Sequence, residues 1–384
     1  MAEAIDRRTF LGSGLAAGLA GAIGPIPLTA SRLRSAAAFM PRDFELEEAT
    51  IADLQATMAS GEHTARSLTE AYLSRIEELD QDGPALRALL ETNPDALEVA
   101  SERDAERRAG RVRGALHGIP ILLKDNIETS DRMETTAGSF ALLGARPERD
   151  AFVAGRLREA GAVILGKANL SEWANFRSTA SSSGWSARGG QAKNPYALDR
   201  TPCGSSSGSG TAVAGNLCAV AVGTETDGSI VCPSAANSIV GIKPTLGVVS
   251  RSGIVPLSHS QDTAGPMART VADAAILLGA MAGADPADPA TTESRGRLHE
   301  DYTGFLDPRG LEGARIGIPR EQFFGYSEET DRIAESAIEA LRAAGAVLVD
   351  PVTLRHAGEY DDSEYEVLLY DFKADVNTYL GGRP

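Results

Sequence analysis

Residues 152–160 place apolar side chains at helical spacing, Gly161 stops the helix, and Ala162-Val163-Ile164-Leu165 follows as an unbroken apolar run. The same order returns at residues 333–344, Gly345 and Ala346-Val347-Leu348-Val349. A helix that ends in glycine and feeds a short, wholly apolar strand belongs to an α/β fold, because such a strand needs cover on both faces. Residues 44–79 read as two helices, with Ile51, Leu54, Met58, Leu68, Tyr72 and Ile76 three or four apart and a break at Ser60-Gly61. Residues 95–110 read as a charged surface helix, and Ile316-Gly317-Ile318 as one more strand after a polar connector at 285–297. At 384 residues the length allows one large domain or two ordinary ones, and the chain shows no repeat of solenoid period.

Three segments carry chemistry. The apolar run Gly118-Ile119-Pro120-Ile121-Leu122-Leu123 ends in Lys124-Asp125-Asn126. Cys203-Gly204-Ser205-Ser206-Ser207-Gly208-Ser209-Gly210 and Gly223-Thr224-Glu225-Thr226-Asp227-Gly228-Ser229-Ile230-Val231-Cys232-Pro233 lie downstream. A serine hydroxyl is a poor nucleophile until a base takes its proton, and a lysine desolvated at a strand end can be that base. Ser229 sits on a tight turn before the strand-like Ile230-Val231, where Gly228 permits a backbone shape closed to other residues. The amides of Asp227, Gly228 and Ser229 can converge there on a developing oxyanion. Plain alternatives exist for each segment: a Thr/Ser/Gly turn joining two strands, a flexible Gly/Ser linker, and a strand-end lysine reaching water. A phosphate-cradling loop lacks support, because no Gly-Lys-Ser/Thr closes the serine-rich run. A helix at 211–217 should follow it, its N-terminus facing the site. Of the five histidines, His117 and His259 lie nearest the motifs, and neither has a nucleophile-elbow context.

In this order the three segments resemble the amidase signature family, whose pattern is an apolar strand ending in lysine, a Gly-Gly-Ser-Ser-Gly-Gly-like loop and a Gly-Thr-Asp-x-Gly-Gly-Ser-like loop. Residues 187–275 resemble its peptide amidase members in particular, and the likeness runs from about residue 44 to the C-terminus. The resemblance implies a mixed central β-sheet covered by helices on both faces. It implies Ser229 as nucleophile, with Ser205, after a cis peptide bond, relaying its proton to Lys124. Asp125 would hold the lysine in place. Thr226, Asp227, Gly228 and Ser206 would frame the oxyanion and the substrate, with no metal or organic cofactor. The implied reaction is hydrolysis of a small linear amide or an amidated peptide, releasing ammonia. Two alternatives share these motifs or this fold: the glutamine-hydrolysing subunit of a tRNA-dependent amidotransferase, and a non-catalytic binding protein. Cys203 and Ser207 stand where the family usually has glycine. Family members continue past about Lys373 through a further segment, so a chain ending at Gly381-Gly382-Arg383-Pro384 is expected to lack the C-terminal part of the domain.

A formal net charge of -16 argues against nucleic acid or an anionic membrane as the main partner. Cys203, Cys218 and Cys232 are too few and too evenly scattered for a disulfide framework, and Cys203 in the serine loop is an alternative thiol nucleophile that no His-rich motif beside it supports. Arg7-Arg8 precedes an apolar, Gly/Ala-rich run at 11–28 that Pro25 and Pro27 interrupt. This resembles a twin-arginine (Tat) export signal and makes a poor membrane anchor. The expected organisation is a leader at 1–38, read in passing by the Tat translocase, and an amidase domain at 39–384 destined for the periplasm. The plain alternative for the leader is an apolar helix docked on the domain.

Overall fold

The computed structural model describes residues 41–144 and 146–383, so the leader assigned to 1–38 lies outside the described residues. In chain order, β1 (Leu89–Thr92), β2 (Pro120–Lys124) and β3 (Val163–Ala168) precede a ribbon of β4 (Trp185–Ser186) and β5 (Gly190–Gln191). Next come β6 (Val220–Glu225), β7 (Val240–Gly241) and β8 (Thr263–Ala268), then a second ribbon of β9 (Arg315–Gly317) and β10 (Val347–Val349). The main sheet is six-stranded in the order β1-β3-β2-β6-β8-β7. Its centre, β3-β2-β6, is parallel, and the outer pairings are antiparallel. The mixed sheet expected from the sequence is therefore present.

Every residue of β2, β3, β6 and β8 is buried, as both faces of a helix-covered sheet require. Helix Ala65–Ile76 packs against β2 and β3, helix Ser207–Ala214 against β2, β3, β6 and β8, and helix Val271–Met281 against β8. The first two helices begin at Thr50 and Thr64, whose side chains and those of Asp53 and Ser67 close capping boxes. Gly61, in left-handed conformation, ends the first of them where the break was expected.

Three local expectations are corrected. Ile230-Val231 is not strand-like: helix Val231–Ala236 begins directly after the Ser229 turn. The carboxylate of Glu225 accepts the amides of Ile230 and Val231, donors that a helix start leaves unpaired, and this outweighs the β-preference of the two residues. The helix expected at 211–217 instead spans Ser207–Ala214, so it starts two residues after Ser205. The β9–β10 ribbon also differs from the buried-strand expectation. Its strands pair with each other outside the main sheet, and Val347 remains 52% exposed.

Gly208, in the first turn of helix Ser207–Ala214, lets that turn rest on backbone. A β-carbon there would lie 2.1 Å from the carbonyl oxygen of Ala88 and 2.5 Å from the amide of Asn169. Gly208→Ala is expected to destabilise the fold by about 1–3 kcal/mol, since neither neighbour can swing away as a side chain would. Urea unfolding checks this, and an unchanged midpoint would contradict the close packing.

Candidate active site

Lys124 is the last residue of β2, at the C-terminal end of the central parallel strand. Ligands in open α/β sheets bind outside the carboxyl ends of strands. The side chain is fully buried, and its Nζ lies 2.8 Å from Ser205 Oγ, 2.9 Å from Thr224 Oγ1 and 3.1 Å from the Thr224 carbonyl. Burial pushes its pKa down to about 7, and the carboxylates of Asp262 and Glu225 pull it back upward. An amine so placed is neutral for much of the time near neutral pH and can accept a proton. Among the described residues no hydrogen bond or ion pair joins the Asp125 carboxylate to the Lys124 amine. That carboxylate accepts from the amides of Thr136 and Gly138, each at 3.2 Å, and so fixes that turn instead.

Ser205 is fully buried, and the Gly204–Ser205 peptide is cis, as the resemblance implied. The Ser205 carbonyl accepts the amide of Ser171 at 3.0 Å. Ser206, expected to face substrate, is also fully buried. Its hydroxyl donates to the Thr224 carbonyl at 3.0 Å and accepts the Thr224 amide at 3.1 Å. The donor and one acceptor site of that hydroxyl are thereby used on β6, so Ser206 fastens the serine loop to the strand. Its own amide donates to the Ser229 carbonyl at 3.0 Å, which brings the two loops together.

Ser229 is 7% exposed, and among the described residues its carbonyl accepts a hydrogen bond, from the Ser206 amide, while its hydroxyl makes none. Gly228 beside it has φ +72, a left-handed conformation that favours glycine. Glu225 organises this turn, because its carboxylate accepts the amides of Gly228, Ile230 and Val231 at 3.0, 2.7 and 2.9 Å. The expected oxyanion role of Gly228 is therefore corrected: its amide is already taken. The amides of Asp227 and Ser229 make no hydrogen bond among the described residues and keep their donors for an incoming oxygen. Thr226 Oγ1 donates to Asp262 at 2.5 Å, and burial holds the Asp262 carboxyl above its usual range against that hydrogen bond. Thr224, Thr226, Asn126 and Asp262 line a cavity of about 340 Å³, walled on its apolar side by Ile254 and Leu257.

The first link of the expected relay, Lys124 to Ser205, is made. The second is not, because no hydrogen bond joins Ser205 Oγ to Ser229 Oγ among the described residues. Ser229 meets the Ser205 loop through its carbonyl, which leaves its hydroxyl free to turn about a single bond. Cys203 is not a free thiol, since it forms a disulfide with Cys232, while Cys218 is buried and reduced. Three cysteines make no framework, but the folding together of their two loops makes this one bridge. His117 is buried against the Arg103 carbonyl, and His259 pairs with Asp375, so neither bonds either serine. Thr224, Glu225 and Asp262 are the site residues that sequence reading missed. An acidic residue closing the apolar run 220–223 was the one available signal.

The family model for Amidase matches residues 67–383. A probable amidase of Arabidopsis thaliana is 47% identical over 88% of this chain, which spans 65% of that relative. A putative amidase of Schizosaccharomyces pombe is 44% identical over 89% of the chain, which spans 61% of it. The chain thus spans less than two thirds of these curated relatives. The solved peptide amidase of Stenotrophomonas maltophilia superposes with a TM-score of 0.84 at 58% identity, over 88% of this chain and 69% of that one. A glutamyl-tRNA(Gln) amidotransferase subunit of Chloroflexus aurantiacus is 45% identical over 88% of this chain and 67% of its own length. The chain belongs to the amidase signature family.

Proposed function

We propose that this chain is a linear-amide hydrolase that releases ammonia from the carboxamide end of peptides or related small amides. The observation that carries the reading is the fully buried Lys124 amine held 2.8 Å from Ser205 Oγ. Neutral Lys124 takes the Ser205 proton while Ser205 takes that of Ser229, whose Oγ attacks the amide carbon. The amides of Asp227 and Ser229 receive the oxyanion. Collapse returns the proton through Ser205 to the leaving nitrogen, ammonia departs, and water hydrolyses the acyl-enzyme by the same relay. The 58% identity to a peptide amidase, against 45% to an amidotransferase subunit, supports amidated peptides over glutamine. The test is ammonia release from an amidated tripeptide, free glutamine and a simple aryl amide. Turnover of glutamine alone would move the assignment to the amidotransferase reading.

We further propose export by the twin-arginine route. Arg7-Arg8 ahead of an apolar run supports it, and so does a surface disulfide, which persists in oxidising compartments. Arg7→Lys with Arg8→Lys is expected to leave the protein in the cytoplasm of its host, because the pair is read by a receptor rather than by lipid. Fractionation and immunoblotting check this. Unchanged periplasmic recovery of the double variant would reject the route.

A further inference from the structure

We propose that the Cys203–Cys232 disulfide is a positioning clamp for the two serines, and that the oxidised chain is the fully active form. Cys203 lies two residues before Ser205, and Cys232 three residues after Ser229. The bridge therefore brackets both hydroxyls at once. Between segments 203–207 and 227–232, one hydrogen bond is made among the described residues, Ser206 N to the Ser229 carbonyl. The disulfide is the covalent tie across the same gap.

Each half of the clamp is rigid on its own side. The Cys203 carbonyl accepts Ser207 Oγ at 2.7 Å, which fixes the residue to the start of helix Ser207–Ala214. The Cys232 amide donates to the Gly228 carbonyl at 2.8 Å, which ties that residue to the Ser229 turn. Lys124 is held separately by Thr224 on β6, so opening the bridge does not release the base. Both loops are also fastened to β6, Ser206 through Thr224 and the Ser229 turn through Glu225. What opening removes is the covalent tie that fixes the last of the spacing between the Ser229 turn and Ser205. Displacement of about 1 Å in a catalytic group can cost on the order of a hundredfold in rate. Cys232 is exposed and Cys203 half-buried, so a small dithiol can reach the bridge in the folded protein. Its thiolate attacks one sulfur and breaks the S–S bond, and its second thiol resolves the mixed disulfide. The protein gains two electrons and two protons as two thiols, and the reductant leaves as its cyclic disulfide.

This inference rests on the proposed amide hydrolysis, and the test separates the two. The full chain is assayed for ammonia release from an amidated tripeptide and for fluorophosphonate labelling, before and after dithiothreitol. Cys203→Ser, Cys232→Ser and reoxidised wild type are run alongside, all well below their melting temperatures. Peptide mapping counts the thiols. Expected is a fall of about 10- to 100-fold in kcat and in labelling rate, with KM within about twofold, the pH at which kcat/KM falls on the acid side unmoved, and recovery on reoxidation. A lowered melting temperature with kcat unchanged would make the bridge merely structural and overturn the clamp. Free thiols at both Cys203 and Cys232 in the active, air-exposed protein, three in all with Cys218, would overturn it as well. Absence of hydrolysis and labelling in the oxidised chain would instead overturn the amidase reading on which the clamp depends.

Discussion

Ser229→Ala is expected to abolish ammonia release and fluorophosphonate labelling while leaving the fold intact. No other atom in the site can form the acyl ester, so the loss should approach the roughly 10⁶-fold seen when a hydrolase loses its nucleophile. The fold should survive because the removed hydroxyl makes no hydrogen bond among the described residues. What the residue contributes structurally is its carbonyl, which accepts the Ser206 amide at 3.0 Å and is present in alanine. Urea unfolding should therefore shift by no more than about 0.5 kcal/mol. Mass spectrometry of the labelled wild type should place the adduct on the peptide containing Ser229. Adduct on Ser206 would contradict the geometry, since that hydroxyl is fully buried and makes two hydrogen bonds to the Thr224 backbone.

What could be read from the sequence was whatever local pattern dictates. The apolar run into Lys124 reads as a buried strand because nothing polar interrupts it, and the structure makes it the centre of the sheet. Helix boundaries were readable where caps are local, as at Thr50, Thr64 and Gly61. The start of helix Val231–Ala236 was not, because it is set by Glu225, a residue outside the helix whose carboxylate captures its first amides. Pro233 was the signal passed over, since proline suits the first turn of a helix and spoils a central strand.

Partners distant in sequence stayed hidden for a related reason. Asp262 is 36 residues from Thr226 and meets it only because β6 and β8 pair antiparallel. Cys203 and Cys232, 29 residues apart, meet only because two loops close on one site. The role given to Gly228 failed at one atom: its φ suits the turn, but Glu225 had already claimed its amide. Motif matching places a residue in a loop without saying which of its donors are spent.

The base gives the second large effect. Lys124→Ala is expected to lower kcat/KM by about 10²- to 10⁴-fold while labelling of Ser229 persists at a reduced rate, because the oxyanion donors and the nucleophile remain. The wild-type pH profile tests the same assignment without a mutation. Burial sets the Lys124 pKa at about 7, and only the neutral amine accepts a proton. As pH falls through that value the lysine becomes charged, so kcat/KM should drop about tenfold per pH unit on the acid side. The carboxylates of Asp262 and Glu225 favour the charged amine and hold this limb higher than burial alone would. Asp262→Asn should therefore move the limb to lower pH, alongside any loss from releasing Thr226. A limb that stays in place or moves upward in that variant would mean that a group other than Lys124 titrates in the free enzyme, and the lysine would lose its role as base.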